Sequence, residues 1–158
     1  RFKIDIRVRA IATESKMLLH PYGINLDTWH EELDLKGKDF DLDEFTEHIR
    51  AEWIPHWIIV DLHQDSNQIL QYPLWLESRM HVISSNKMAV ADSVTHFNNC
   101  IEATRAHYST FRFEACVCAG LSIVTLLRDM LDTGDTITKI QGVFSGTLSR
   151  VFNLMRVS

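Results

Sequence analysis

Apolar and polar residues alternate along Ile4, Ile6, Val8 and Ala10, interleaved with Asp5, Arg7 and Arg9. A period of two predicts a strand buried on one face. A polar stretch holding Pro21-Tyr22-Gly23 follows, then a short helix is expected over 27–33, broken at Gly37. Asp41 with Glu44 three residues later makes an aspartate version of the capping box. Leu42, Phe45, Ile49 and Trp53 then fall at helical spacing, and Pro55 sits where such a helix should stop. The run 57–62 is apolar and β-branched at its centre, which predicts a strand covered on both faces.

The second half repeats the rhythm. A helix is expected to begin over 65–70 and to be interrupted at Tyr72-Pro73, because Pro73 suits the first turn of a second helix over 74–79. Strands are expected over 81–84, 111–117 and 136–144. Asp92 is expected to cap a helix whose stripe is Val94, Phe97, Ile101, Thr104 and Tyr108. Another helix is expected over 121–131, with Gly134 just beyond it as a C′ residue, and a last helical segment over 147–155. Strands and helices in alternation, with no hairpin turn recognised, predict a mostly parallel sheet with covering helices, the α/β class.

Composition narrows the picture. The 158 residues are 46% hydrophobic and 23% charged, with six Gly and three Pro, which excludes a disordered or collagen-like chain. Apolar runs such as Trp57-Ile58-Ile59-Val60 are too short for a membrane span. A formal charge of −5 argues against a general nucleic-acid or acidic-membrane binder. Three cysteines form no disulfide framework, so a reducing compartment is expected. The chain opens on Arg1 rather than Met, so a removed leader or a piece of a longer protein is expected.

General motifs are scarce. The glycines at 23, 37, 120, 134, 142 and 146 form neither G-x-G-x-x-G nor a Walker A pattern. No G-x-S-x-G or H-E-x-x-H is present. Cys116 and Cys118 form a C-x-C pair without a second metal-binding pair, so core or loop thiols are the cheaper reading. The acidic run around Asp39, Asp41, Asp43, Glu44 and Glu47 reads as a solvated, capped helix start. Two clusters carry more. Ser84-Ser85-Asn86-Lys87 lies where a strand ends and a helix approaches, the edge at which open α/β sheets bind ligands. The stretch 141–149, Q-G-V-F-S-G-T-L-S, places small and hydroxyl residues at a turn that can offer N–H groups to an anion. Tight turns and N-caps explain each cluster equally well on its own.

Taken together the segments resemble homoserine dehydrogenase. The stretch 133–149 is similar to that family's T-G-D-x-I-x-K-I-E-G-I-F-S-G-T-L-S signature, and 113–122 resembles its Y-E-A-T-V-G-A-G-L-P loop. Val82 to Ala89 is similar to V-(I/V)-T-P-N-K-K-A, Val60-Asp61 to V-D-C-T, and 72–76 to Y-P-x-W-L. Lys16-Met17-Leu18-Leu19, Gly23-Ile24-Asn25-Leu26 and Trp29 resemble the versions fused to aspartate kinase. The resemblance spans essentially the whole chain in one register.

It implies a Rossmann-like, mostly parallel sheet lacking its first strand over residues 1–115, followed at 116–158 by the beginning of an α+β catalytic domain. It implies interconversion of L-homoserine and L-aspartate 4-semialdehyde with NAD(P)(H), on the route to threonine and methionine. Lys87 is then the catalytic candidate, with Thr13, His63, Asn86 and Lys87 toward the cofactor and Gly142, Ser145, Gly146 and Thr147 toward the substrate. Glu114, Val117, Ala119 and Leu121 match a monovalent-cation loop whose ligands are largely backbone carbonyls, suited to sodium. A homo-oligomeric parent in the cytoplasm, or in a plastid if from a plant or alga, is implied as well.

Departures are equally specific. Met88 replaces the second lysine of N-K-K, and a thioether relays no proton. His63 stands in place of a threonine, Ser122 of a proline and Gln141 of a glutamate. Cys118 replaces a glycine, which costs about 1 kcal/mol if the position needs positive φ. Glu14 after the first strand favours a ribose hydroxyl and Lys16 a 2′-phosphate, so the choice of NAD or NADP stays open. The isolated 158 residues are expected to be inactive without a phosphate loop and the distal substrate residues. The alternative is a diverged, catalytically inactive homologue acting in binding or assembly.

Overall fold

A computed structural model describes residues 3–50, 54–64, 68–143 and 145–156. The chain divides into two units, residues 1–57 and 58–158. The 115/116 boundary implied by the resemblance falls inside the second unit, in a 3-10 turn at Glu114–Cys116.

In the first unit, β1 (Ala10–Ala12) and β2 (Lys16–Leu19) pair antiparallel, and β3 (Lys38–Asp39) adds to the other side of β2. The β1–β2 connection is a hairpin, contrary to the sequence expectation, closed by Thr13 N–H on Lys16 O at 2.8 Å. The strand expected from Ile4 starts only at Ala10. Ile4 and Ile6 are exposed; the β2 register begins at Ala10, and before it Arg9 O and Val8 O accept from His20 N–H and Ile24 N–H. Helix α1 (Trp29–Lys36) ends at Gly37, where an added Cβ would clash with the backbone oxygen of Leu33. Helix α2 (Leu42–Ile49) starts as expected, with Asp41 Oδ1 accepting from Glu44 N–H at 2.8 Å. The reciprocal half of the box is not made, since Glu44 pairs instead with Lys38 Nζ at 2.6 Å. Trp53, the last member of that stripe, lies outside the described residues.

The second unit holds the parallel sheet, β4 (Ile58–Asp61), β5 (His81–Ser84) and β6 (Phe111–Arg112), with β5 in the middle. The crossover after β4 contains a 3-10 turn at Gln68–Gln71 and α3 (Tyr72–Glu77), with Pro73 in the first turn as expected; residues 65–67 of the expected earlier helix lie outside the described residues. After β5 come the single turn α4 (Met88–Ala91) and the long α5 (Val94–His107). Ser93, not Asp92, caps α5: Ser93 is extended and its Oγ accepts from His96 N–H at 3.2 Å, whereas Asp92 is still helical at the end of α4.

The buried stripe of α5 is also displaced from the expected one. Cys100 and Ala103 are buried, while Val94 and Tyr108 are exposed and Tyr108 terminates the helix at φ +59°. Small side chains let α5 approach α3, and a tally of large apolar residues misses that face. Phe97 meets Phe113 edge-on at 5.3 Å. The core is Ile69, Tyr72, Trp75, Leu76, Met80, Val82, Cys100 and Phe111. It covers one sheet face only. In β4, Ile59 and Asp61 are buried but Ile58 and Val60 are 54% and 56% exposed, which corrects the expectation of two-sided burial.

Beyond the sheet, β6 ends at Arg112 rather than at 117 because Phe113 turns into the 3-10 segment. Helix α6 (Ile123–Asp132) closes with Gly134 at φ +88° and the paired bonds Asp135 N–H to Met130 O and Gly134 N–H to Leu131 O, the left-handed termination read from the sequence. The strand expected over 136–144 is not formed among the described residues, where no neighbour pairs with it; Phe144 itself lies outside them. Helix α7 (Gly146–Arg156) follows.

Candidate functional site

The carboxyl ends of β4, β5 and β6 bring one polar cluster together, at the edge where parallel sheets take ligands. Asp61, the last residue of β4, is 5% exposed yet carries a carboxylate. A buried carboxylate needs donors, and three surround it. Tyr72 from α3 donates its hydroxyl to Oδ2, Asn86 Nδ2 lies 3.4 Å from the same oxygen, and His63 N–H donates to Oδ1 at 2.8 Å. His63 Nδ1 stands 3.4 Å from Oδ1. The Tyr72 oxygen is also 2.9 Å from Ser84 Oγ. A phenol has one proton, and it stays on the ring oxygen while donated to the carboxylate, leaving the serine hydroxyl to point at the phenol oxygen. Burial, reinforced by Asp61, holds Tyr72 well above the ordinary phenol range.

Around this carboxylate the β5 end is tied off residue by residue. Ser85 N–H donates to Asp61 O at 3.0 Å and Asn86 N–H to Ser84 Oγ at 3.0 Å. Asn86 is fully buried, and its Oδ1 accepts from Met88 N–H at 3.1 Å. Lys87, between them, is exposed, and its ammonium makes no hydrogen bond or ion pair among the described residues. The Cys116 thiol donates toward Ser84 O and Asn86 O, each at 3.3 Å, linking the β6 side to the same edge. Burial pushes this thiol above its ordinary value, as it does Cys100, to about 11.

The three sequence candidates His63, Asn86 and Lys87 are thus gathered on one edge. Thr13 lies in the first unit, where its Oγ1 accepts from Lys16 N–H at 3.1 Å in the β1–β2 turn. Lys16 Nζ reaches Asp34 O at 3.3 Å. Among the described residues of the 142–147 turn, Ser145 Oγ accepts from Leu148 N–H at 3.2 Å in the first turn of α7. Gly146 faces open space. Asp61, Tyr72 and Cys116 were not among the site candidates read from the sequence, and Ser84 entered only as the first residue of the strand-end cluster. The available signal was an aspartate closing the apolar run Ile58-Ile59-Val60.

The candidate cation loop shows two different uses of oxygen. The Glu114 carboxylate is spent on α6: Oε1 accepts from Val124 N–H at 3.0 Å, and Oε2 from Thr125 N–H at 3.0 Å and Thr125 Oγ1 at 2.8 Å. It therefore replaces the missing side-chain cap at Ser122. Glu114→Gln keeps one good acceptor and loses the charge facing the helix N-terminus, so it is expected to cost about 1 kcal/mol. Urea unfolding checks this; unchanged stability would show that the cap is dispensable. The carbonyls of Val117 and Ala119 accept no hydrogen bond among the described residues. Between them the backbone takes the left-handed conformation at Cys118 (φ +55°) and Ala119 (φ +53°), so the glycine replaced at 118 stood at a position that does require positive φ.

The model of "Homoserine dehydrogenase, NAD binding domain" matches residues 1–114. A bifunctional aspartokinase/homoserine dehydrogenase of Arabidopsis thaliana, named as chloroplastic, is 41% identical over 153 residues, covering 96% of this chain and 17% of its own length. The homoserine dehydrogenase of Schizosaccharomyces pombe is 33% identical over 131 residues, 83% of this chain and 35% of that protein. Among solved structures, a Candida auris protein of unknown function superposes with TM-score 0.87 at 28% identity, covering 98% of this chain and 43% of that one. A hyperthermophilic archaeal homoserine dehydrogenase in complex with NADPH shares the fold at TM-score 0.58 and 18% identity, over 77% of this chain and 38% of that one.

Proposed function

Because the chain belongs to the homoserine dehydrogenase family, we propose that its protein interconverts L-homoserine and L-aspartate 4-semialdehyde with NAD(P)(H). The observation that carries this reading is the strand-end cluster, where buried Asp61 and Asn86 fix the backbone on either side of an exposed, unpaired Lys87. A nicotinamide cofactor bound there supplies hydride transfer. His63 and Asn86 would hold and orient it, and Lys87 would bind the substrate hydroxyl oxygen and relay its proton. Gly142, Ser145, Gly146 and Thr147 would face the substrate. The residues present also fit a hard monovalent cation, sodium in this proposal, with the carbonyls of Val117 and Ala119 as its first ligands beside those of Glu114 and Leu121. The NAD(P)-binding part is taken as 1–115 and the catalytic part as starting at 116. A homo-oligomer in the cytoplasm or a plastid completes the proposal; plant relatives carry the name chloroplastic.

The test is formation of reduced nicotinamide by the full-length protein from L-homoserine, with NAD and NADP in parallel and with sodium against potassium salts. Turnover dependent on homoserine is expected. One observation favours the second reading, a diverged binding or assembly module: Met88 stands where the resembled motif has its second lysine. Tight NADPH binding without turnover would support that reading, and absence of both would overturn the first.

A further inference from the structure

We propose that Asp61 is a positioning residue for this reaction: its acceptor-only carboxylate locks the two strand ends that carry His63, Asn86 and Lys87 into one geometry. The inference rests on the functional reading above. One residue makes four of these ties. Its Oδ1 holds the 61–63 loop through His63 N–H, its Oδ2 holds Asn86 and Tyr72, and its main-chain carbonyl holds Ser85 N–H. Asn86 then passes the constraint on, because its Oδ1 takes Met88 N–H and so fixes the first turn of α4 around Lys87.

Chemistry dictates the residue type. Both carboxylate oxygens face donors, so no group with an N–H of its own can stand in. With asparagine at 61, an amide NH2 on the Oδ1 side would confront His63 N–H. Turned over, it would confront Asn86 Nδ2. Either way one buried donor loses its acceptor while the shape is unchanged, and the loops bearing the cofactor residues are released. An offset of an ångström at such a site is costly to function.

The partner arrangement supplies a specific rescue. In Asp61→Asn/Asn86→Asp the new amide at 61 can donate across to the new carboxylate at 86, while its oxygen still accepts from His63 N–H. The carboxylate at 86 still accepts from Met88 N–H. Tyr72, no longer facing a carboxylate, can donate to Ser84 Oγ.

In the full-length protein, Asp61→Asn is expected to raise the NADPH dissociation constant, read by nucleotide fluorescence, about tenfold or more. The double exchange should bind more tightly than either single variant. Tyr72→Phe, which removes one tie and keeps charge and ring, should weaken binding less and serves if Asp61→Asn fails to fold. Folded Asp61→Asn with a wild-type dissociation constant, or a double exchange no better than the worse single, would overturn the positioning role while leaving the functional reading intact. A wild-type protein that neither binds NADPH nor oxidises homoserine would instead overturn that reading and this inference with it.

Discussion

Tyr72→Ala is expected to remove at least about 4 kcal/mol from the stability of the parallel-sheet unit, a large part of what a domain has. Two losses combine. The ring is fully buried and touches Trp75 (centroids 5.8 Å apart), Phe111 (5.6 Å) and His96 (6.4 Å). Aromatic-to-alanine changes in such a place typically cost about 3–5 kcal/mol through lost transfer and the cavity left behind. The hydroxyl is also the donor that Asp61 Oδ2 depends on most, and a buried carboxylate deprived of a donor adds about 1–3 kcal/mol. Urea unfolding of the full-length protein followed by tryptophan fluorescence reads the change, and Trp75, stacked on Tyr72, reports locally. Tyr72→Phe isolates the second loss, since the ring stays and only the donor leaves. A phenylalanine variant as stable as wild type would show that Asn86 and the His63 amide satisfy Asp61 unaided.

That pair also marks the limit of what the sequence discloses. Elements fixed by local chemistry are legible in the residues: the Asp41 cap of α2, Pro73 in the first turn of α3, and Gly134 past the end of α6. Their signals lie within a few positions and need no partner. Elements whose existence depends on a neighbour are not legible. The 4–10 alternation becomes strand only where β2 lies alongside, and the segment after Asp135 has the composition of a strand but pairs with nothing among the described residues. Which face of α5 is buried depends on how closely α3 can approach, so Cys100 and Ala103 outweigh larger residues.

The site divides in the same way. Asn86 and Lys87 are readable because they follow a strand directly. The partnership of Asp61 with Tyr72 and Asn86, 11 and 25 positions away, exists only once the sheet is assembled. The cation loop proposed for Glu114 uses its backbone carbonyl, and only the assembled structure shows its side chain capping α6. Family membership rests on long contiguous motifs, which a linear sequence carries without the fold.

Lys87→Met is expected to lower kcat for homoserine oxidation about 100- to 10,000-fold, the range that positioned acid–base groups contribute. Stability should barely change, because the Lys87 side chain is exposed and makes no hydrogen bond or ion pair among the described residues. The neighbouring position decides whether this loss identifies the relay. Consecutive residues on a helix point about 100° apart, and Met88 is half-buried where Lys87 is exposed. A lysine at 88 therefore aims elsewhere than one at 87. If Lys87 is the relay, adding Met88→Lys to Lys87→Met restores nothing, and Met88→Lys alone leaves kcat near wild type. If the double variant recovers turnover, or Met88→Lys alone raises it severalfold, the relay position is 88 and this chain has lost it. In that case Lys87 positions the substrate, and the diverged, non-catalytic reading gains its decisive support.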